Sequence, residues 1–116
     1  MRHRKKKITL GREAGPRRAL LRSLVESMIL HGSVTTTRAR AKAIRVLVEP
    51  LVTKAKTDAL APRRQLKAAL STDQAVNMLL KDIAPRYKDR AGGYTRTTKL
   101  DRRGTDSAEM VKIEFV

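Results

Sequence analysis

The chain contains no cysteine and no tryptophan, one phenylalanine (Phe115) and two tyrosines (Tyr87 and Tyr94). Without cysteine, a disulfide scaffold, a thiolate metal site and a cysteine nucleophile are excluded. Three aromatic rings are too few for the stacking platform that many single-strand nucleic-acid binders use. They are also too few for a membrane-surface helix, which needs a bulky apolar face. No stretch approaches the ~18 apolar residues of a membrane span. The basic N-terminus is not followed directly by an apolar run of signal-peptide length, so cytoplasmic residence is expected. Acidic residues are scarce as well. Eleven Asp and Glu stand against 27 Lys and Arg, a formal net charge of +16 on 116 residues.

That charge repels itself and is relieved by a polyanion. Hydrophobic residues still make up 41%, enough for one modest core. The charge is uneven. Residues 1–22 hold nine basic residues and one acid, half of the total charge. A like-charged block with few apolar residues does not fold alone. Residues 1–14 therefore read as an extended basic arm that orders on its partner, and residues 15–116 as a single α/β globular domain.

Hydrophobic period and punctuation define the elements. A first helix is expected from about Pro16, with Leu20, Leu21, Leu24, Val25, Met28 and Ile29 on one face and Gly32 as its C-cap. Val34 to Thr37 reads as a short strand. Thr36 or Thr37 then caps a second helix with the stripe Ile44, Leu47, Val48, Leu51, Val52 and Ala55, which keeps its phase across Pro50 and so predicts one kinked helix. Pro62 opens a short third helix that turns Leu66, Ala69 and Leu70 inward. Thr72 or Asp73 caps a fourth, with Val76, Leu79, Leu80 and Ile83 inward and Pro85 at its end. Tyr94 to Leu100 and Met110 to Val116 read as two strands joined by a long hairpin loop. The expected architecture is α+β in two layers, α-β-α(3)-β(2). A small mixed sheet has its helices packed on one face. Leu24, Leu47, Leu51 and Leu79 are the expected core.

Little of this composition supports catalysis. His3 lies in the arm and His31 at a helix end, and neither has an acidic or histidine partner at ligand spacing, so neither a metal nor a cofactor is expected. Asp101, Asp106 and Glu109 share a loop with Arg102 and Arg103, the pattern of a salt-bridged turn. No Ser–His–Asp set is arguable, and no phosphate-binding glycine loop followed by Lys-Ser/Thr is present. The chain is not read as an enzyme. Arginine, whose planar fork grips phosphate bidentately, dominates the interior cations. The densest signal is Pro85-Arg86-Tyr87-Lys88-Asp89-Arg90 followed by Gly92-Gly93-Tyr94-Thr95-Arg96. Two readings of it stand side by side. Either the glycines let the backbone approach phosphate closely, or they make an ordinary turn into a strand on which Tyr94 packs.

Three segments in register carry a resemblance. The first is Met1-Arg2-His3-Arg4, then Gly11-Arg12 and Arg17-Arg18-Ala19-Leu20-Leu21-Arg22. The second is Thr36-Thr37 before Ala39-Arg40-Ala41-Lys42. The third is the stretch from Pro85 to Arg96. Together they resemble the bacterial large-subunit ribosomal protein L17 family over almost the whole chain. The chain departs from that family's pattern at Pro16, where His is usual, and at Ser23, where Asn is usual.

The resemblance implies a non-catalytic constituent of the large ribosomal subunit. It implies binding to large-subunit ribosomal RNA near the exit side of the peptide tunnel, beside neighbouring ribosomal proteins. No small-molecule substrate and no homo-oligomer are expected. The expected RNA contacts begin in the arm with Arg2, His3, Arg4, Lys5, Lys6, Lys7 and Arg12. They continue through Arg17, Arg18 and Arg22 of the first helix. Thr36, Thr37, Arg38, Arg40 and Lys42 follow, then Arg63 and Arg64. The last group is Arg86, Tyr87, Lys88, Arg90, Gly92, Gly93, Tyr94 and Arg96. A DNA-binding architectural protein of nucleoid type is the competing reading of the same charge.

Overall fold

A computed structural model of the chain describes residues 10, 12–57 and 60–116. The arm contacts expected at Arg2 to Lys7 lie outside the described residues. Helix α1 spans Ala14–His31. It begins two residues before Pro16, which sits in the first turn where a missing N–H costs nothing. It buries Val25, Met28 and Ile29. Gly32 ends it in the left-handed region (φ 82°), a conformation that glycine adopts without strain, and donates its N–H to the Met28 carbonyl.

Strand β1 (Ser33–Thr37) leads straight into helix α2 (Arg38–Ala55). The Thr37 hydroxyl caps α2 by accepting from the Arg40 N–H at 3.4 Å. The helix runs as one element across Pro50. Pro50 and Val46, whose carbonyl loses its usual donor, both lie on the solvent side, where the loss is least costly. Helix α3 (Leu60–Ala69) carries Pro62 in its first turn and buries Leu66. Helix α4 (Asp73–Met78) is capped by Thr72.

The expected regular helix to Pro85 is corrected here. After Met78 the backbone widens into a π turn (Leu79–Ile83) and then tightens into a 3-10 turn (Ala84–Tyr87). Pro85 cannot donate to the helical ladder, and the Ala84 N–H reaches back five residues to the Leu79 carbonyl instead. Leu79 and Ile83 keep their inward positions.

Strands β2 (Thr95–Lys99) and β3 (Met110–Phe115) form the expected hairpin. The sheet order is β1-β3-β2, and both pairings are antiparallel. The α+β class and the one-sided helical layer stand, whereas the mixed sheet is corrected to an antiparallel one. The reason lies in the strands themselves. β3 supplies the two fully inward apolar residues, Val111 and Ile113, and takes the centre. The Thr-rich β1 and β2 become edges, where polar residues protect unpaired backbone. Val34 and Thr36 face the helices beside Ile113 and Val111, while Thr35, Lys112 and Thr98 share the opposite face.

The core joins α1, α2, α3, the π turn and the inner face of β3. Of the four leucines expected there, Leu51 and Leu79 are buried and Leu24 packs partly against the cluster. Leu47 is 40% exposed. The core stripe of α2 centres on Ile44, Val48 and Val52, and Leu47 sits at its margin, facing a small groove shared with Leu21, Leu51 and Ala69. Truncating Ile44 or Leu79 to Ala should therefore lower the unfolding free energy by about 2–5 kcal/mol. Leu47→Ala should cost less than about 1 kcal/mol, because a half-exposed side chain has less burial to lose. Urea denaturation of the three variants checks the ordering.

One carboxylate ties α1 to the start of α4. Glu26 accepts from the Ser71 N–H, from the Ser71 hydroxyl at 2.8 Å and from the Thr72 N–H at 3.0 Å. Partial burial pushes its pKa up, but the bonds from Ser71 and Thr72, with Arg22 nearby, outweigh this and hold it below the ordinary value. A depressed pKa means that the folded state binds the proton more weakly than the unfolded one. The stabilisation is present above the unfolded value near 4.5 and is lost as pH falls through the folded one. Glu26→Gln should flatten the acid limb of the stability–pH curve while leaving its shape above pH 6 unchanged, as read by thermal melts from about pH 7 to pH 3.

Candidate nucleic-acid interface

The sheet end of the molecule neutralises itself. Residues 95–116 hold five basic and four acidic residues, for +1, which leaves +15 to residues 1–94. Glu109 binds Arg38 and Arg102, each at 3.2 Å. Asp106 takes Arg103 in two parallel bonds of 2.9 and 2.6 Å. Glu114 pairs with Arg96 at 2.8 Å and Lys112 at 3.5 Å. The guanidinium of Arg38 holds Glu109 low, and that of Arg96 does the same for Glu114. Arg103 pulls Asp106 down to about 2. Asp106 and Glu109, two of the three acids expected in a salt-bridged turn, are thus engaged by arginine. Among the described residues no three His, Asp or Glu side chains gather as a metal site.

This pairing sorts the expected contact residues. Arg38 and Arg96 each hold a carboxylate and are less available to phosphate than their exposure implies. Arg18, Arg22, Lys42, Arg63, Arg64, Arg86, Lys88 and Arg90 are exposed, and Arg17 and Arg40 are half-buried. Arg12 and Arg17 bond to backbone carbonyls at the foot of α1. Thr36 is 6% exposed and faces the helices, and Thr37 spends its hydroxyl on the α2 cap. Strand alternation turns Thr36 inward, so it packs against the helices.

The two tyrosines are buried as well. Tyr87 is 3% exposed and Tyr94 1%, with ring centroids 5.2 Å apart, and Tyr87 also lies 6.4 Å from Phe115. Tyr87 donates to the Val116 carbonyl at 2.6 Å. Burial raises its pKa, against the lowering influence of Arg86 and Arg90. Tyr94 meets the Thr53 hydroxyl at 3.2 Å, accepts from the Lys56 ammonium at 3.0 Å and donates to the Arg90 carbonyl, to which Lys56 also donates. The contacts with Thr53 and then Lys56 lower its pKa. Rings so placed cannot stack on bases; they lock the 88–94 segment to the end of α2. Gly93 completes the lock with φ 64°. An added Cβ would meet nothing closer than the Arg90 guanidinium at 3.9 Å, so glycine is required for its backbone angle and not for space.

The lock brings the second and third sequence segments together. Between α2 and the loop lies a groove of about 830 Å³, lined by Ala39, Lys42, Arg45, Val46, Glu49, Pro50 and Thr53 on one side and Ala91, Gly92 and Tyr94 on the other. Glu49 forms part of its wall, accepting from the Thr95 hydroxyl at 3.2 Å with Arg45 3.8 Å away. Sequence reasoning missed this groove. The signal was Val46, an apolar residue one turn from both Lys42 and Pro50 on the polar side of α2. A smaller apolar groove lies between α1 and α2, edged by Arg18 and Arg22. Tyr94→Phe should cost about 1 kcal/mol in urea denaturation, because it leaves the Lys56 ammonium and the Arg90 carbonyl short of a partner.

Comparison with known proteins follows this geometry. The model of the family described as Ribosomal protein L17 matches residues 20–116. The chain is 46% identical over 114 residues to the Large ribosomal subunit protein bL17 of Bdellovibrio bacteriovorus, covering 98% of this chain and 63% of that one. It is 46% identical over 116 residues to the protein of the same name from Salinibacter ruber, covering 100% and 59%. It is 45% identical over 116 residues to that from Amoebophilus asiaticus, covering 100% and 60%. The chain thus spans about three fifths of the length of these curated relatives.

Proposed function

Because the chain belongs to the ribosomal protein L17 family, we propose that it is a structural constituent of the large ribosomal subunit, holding ribosomal RNA through its basic arm and its arginine-rich faces. The observation that carries this reading is identity of 45–46%, running over essentially the whole chain, to proteins named for the large subunit. The family is one of structural proteins and not of enzymes.

The distribution of charge supports the RNA part of the reading. Arg18 and Arg22 on α1, Lys42 on α2, Arg64 on α3 and the Arg86, Lys88, Arg90 series stand exposed. They suit phosphate contacts, which fix position and register without reading sequence. Arg2, His3, Arg4, Lys5, Lys6 and Lys7 extend the same chemistry into the arm of residues 1–14. A chain segment threads between RNA helices where a folded body does not fit, and the many ion pairs offset the entropy of ordering it. Tyr87, Gly93 and Tyr94 serve by holding the docking loop in shape. The remaining partners are neighbouring proteins of the subunit, in the cytoplasmic ribosome.

The test is sedimentation. In a sucrose gradient of a gentle lysate the chain should travel with the large subunit in stoichiometric amount and stay there through a high-salt wash. Release at moderate salt, or sedimentation with the nucleoid, would overturn the proposal in favour of loose electrostatic binding to DNA.

A further inference from the structure

Phosphate contacts explain cations; they do not explain an apolar groove between them. Val46 is 64% exposed, more than any other large hydrophobic residue described. It lies on one stripe of α2 with Ala39 and Pro50, and the three form an apolar wall. Lys42 and Arg45 stand beside this wall. The opposite wall is the backbone of Ala91 and Gly92, where no side chain beyond a methyl group intrudes. The floor is fixed by the hydrogen bonds of Tyr94, Thr53 and Lys56. Glu49 Oε1 takes the Thr95 hydroxyl and the Arg45 contact, and Oε2 has no partner among the described residues.

Each feature matches one part of a nucleotide. A volume of about 830 Å³ is within the range of small-molecule sites and holds a base with its sugar. An apolar slot one side chain deep receives a flat base taken out of its stack. Cations at the slot's edge receive the flanking phosphates. A free carboxylate oxygen in the wall accepts from an amino or ring N–H group of the base. The groove is open, so a polynucleotide can enter and leave it without a break in the strand.

We infer that the groove between α2 and the 90–94 loop captures one unstacked nucleotide of a folded RNA, its base against Val46 and Pro50, its phosphates on Lys42 and Arg45, and its amino edge on Glu49. This rests on the RNA-binding reading above and adds to it a point of recognition by structure. A bulge or an unpaired residue is selected over continuous duplex. Uridine, whose one ring N–H lies between two carbonyls, suits Glu49 least.

The test uses the full chain and two RNA hairpins that are identical except for a single bulged adenosine, with affinity read by fluorescence anisotropy. The wild type should prefer the bulged hairpin by about tenfold, and Val46→Gln should cut that ratio to about twofold. Val46 is exposed, and circular dichroism melting checks that the variant is folded. Replacing the bulged adenosine with uridine should weaken binding severalfold in the wild type, and Glu49→Gln should shrink that difference. Equal binding of both hairpins by the wild type, or an unchanged ratio in V46Q, would overturn the groove as a nucleotide site and leave RNA binding standing. Failure to bind either hairpin at low salt would overturn the RNA-binding reading itself.

Discussion

The hydroxyl of Tyr94 is the point on which the closure of the loop before β2 against α2 depends. It lies in the core, yet it contacts Thr53 and Lys56 at the end of α2 and the Arg90 carbonyl before the glycine pair. These groups are about forty residues apart in sequence. The ring of Tyr94 is buried, and its hydroxyl is costly to enclose without partners. The solution is to close the loop against the helix. The groove between them, the exposed positions of Arg86, Lys88 and Arg90, and the start of β2 all follow from that closure. Tyr87 reinforces it from the other side by tying the 3-10 turn to the Val116 carbonyl.

The second organising constraint is the charge. Four of the eleven acids lie in residues 95–116, and three of these, Asp106, Glu109 and Glu114, are engaged by arginine. Exposed ion pairs of this sort add little to stability. Their effect is on partition. They leave residues 95–116 nearly neutral, so the net charge lies almost wholly in residues 1–94. The core, meanwhile, is small and largely aliphatic, with Met28, Ile44, Leu66, Leu79 and Ile113 fully enclosed.

Much of this was legible in the sequence, and the gaps have physical reasons. α1, α2 and the hairpin follow from hydrophobic period, a threonine cap and the position of Gly32, all local signals. Sheet order is not local, because the pairing of β1 with β3 joins residues about eighty apart. Leu47 satisfied the period but sat at the edge of the stripe, and a period cannot tell a margin from a centre. The π turn depends on how Pro85 disturbs the backbone before it, which no propensity scale encodes. Tyr87 and Tyr94, set among cations and glycines, are equally consistent with a surface or a core. Their burial is set by packing between distant elements, and both rings lie inside. Arg18, Arg22, Lys42, Arg86, Lys88 and Arg90, by contrast, are exposed as their chemistry requires.

The unequal division of charge has one further consequence. Residues 1–94 carry +15 and residues 95–116 carry +1, so nearly all of the net charge lies ahead of the hairpin in the chain. A charge so divided gives one stretch of the chain a long-range pull towards any polyanion and the other almost none. The carboxylates of the hairpin thus act at a distance, by cancelling the field of the arginines they hold.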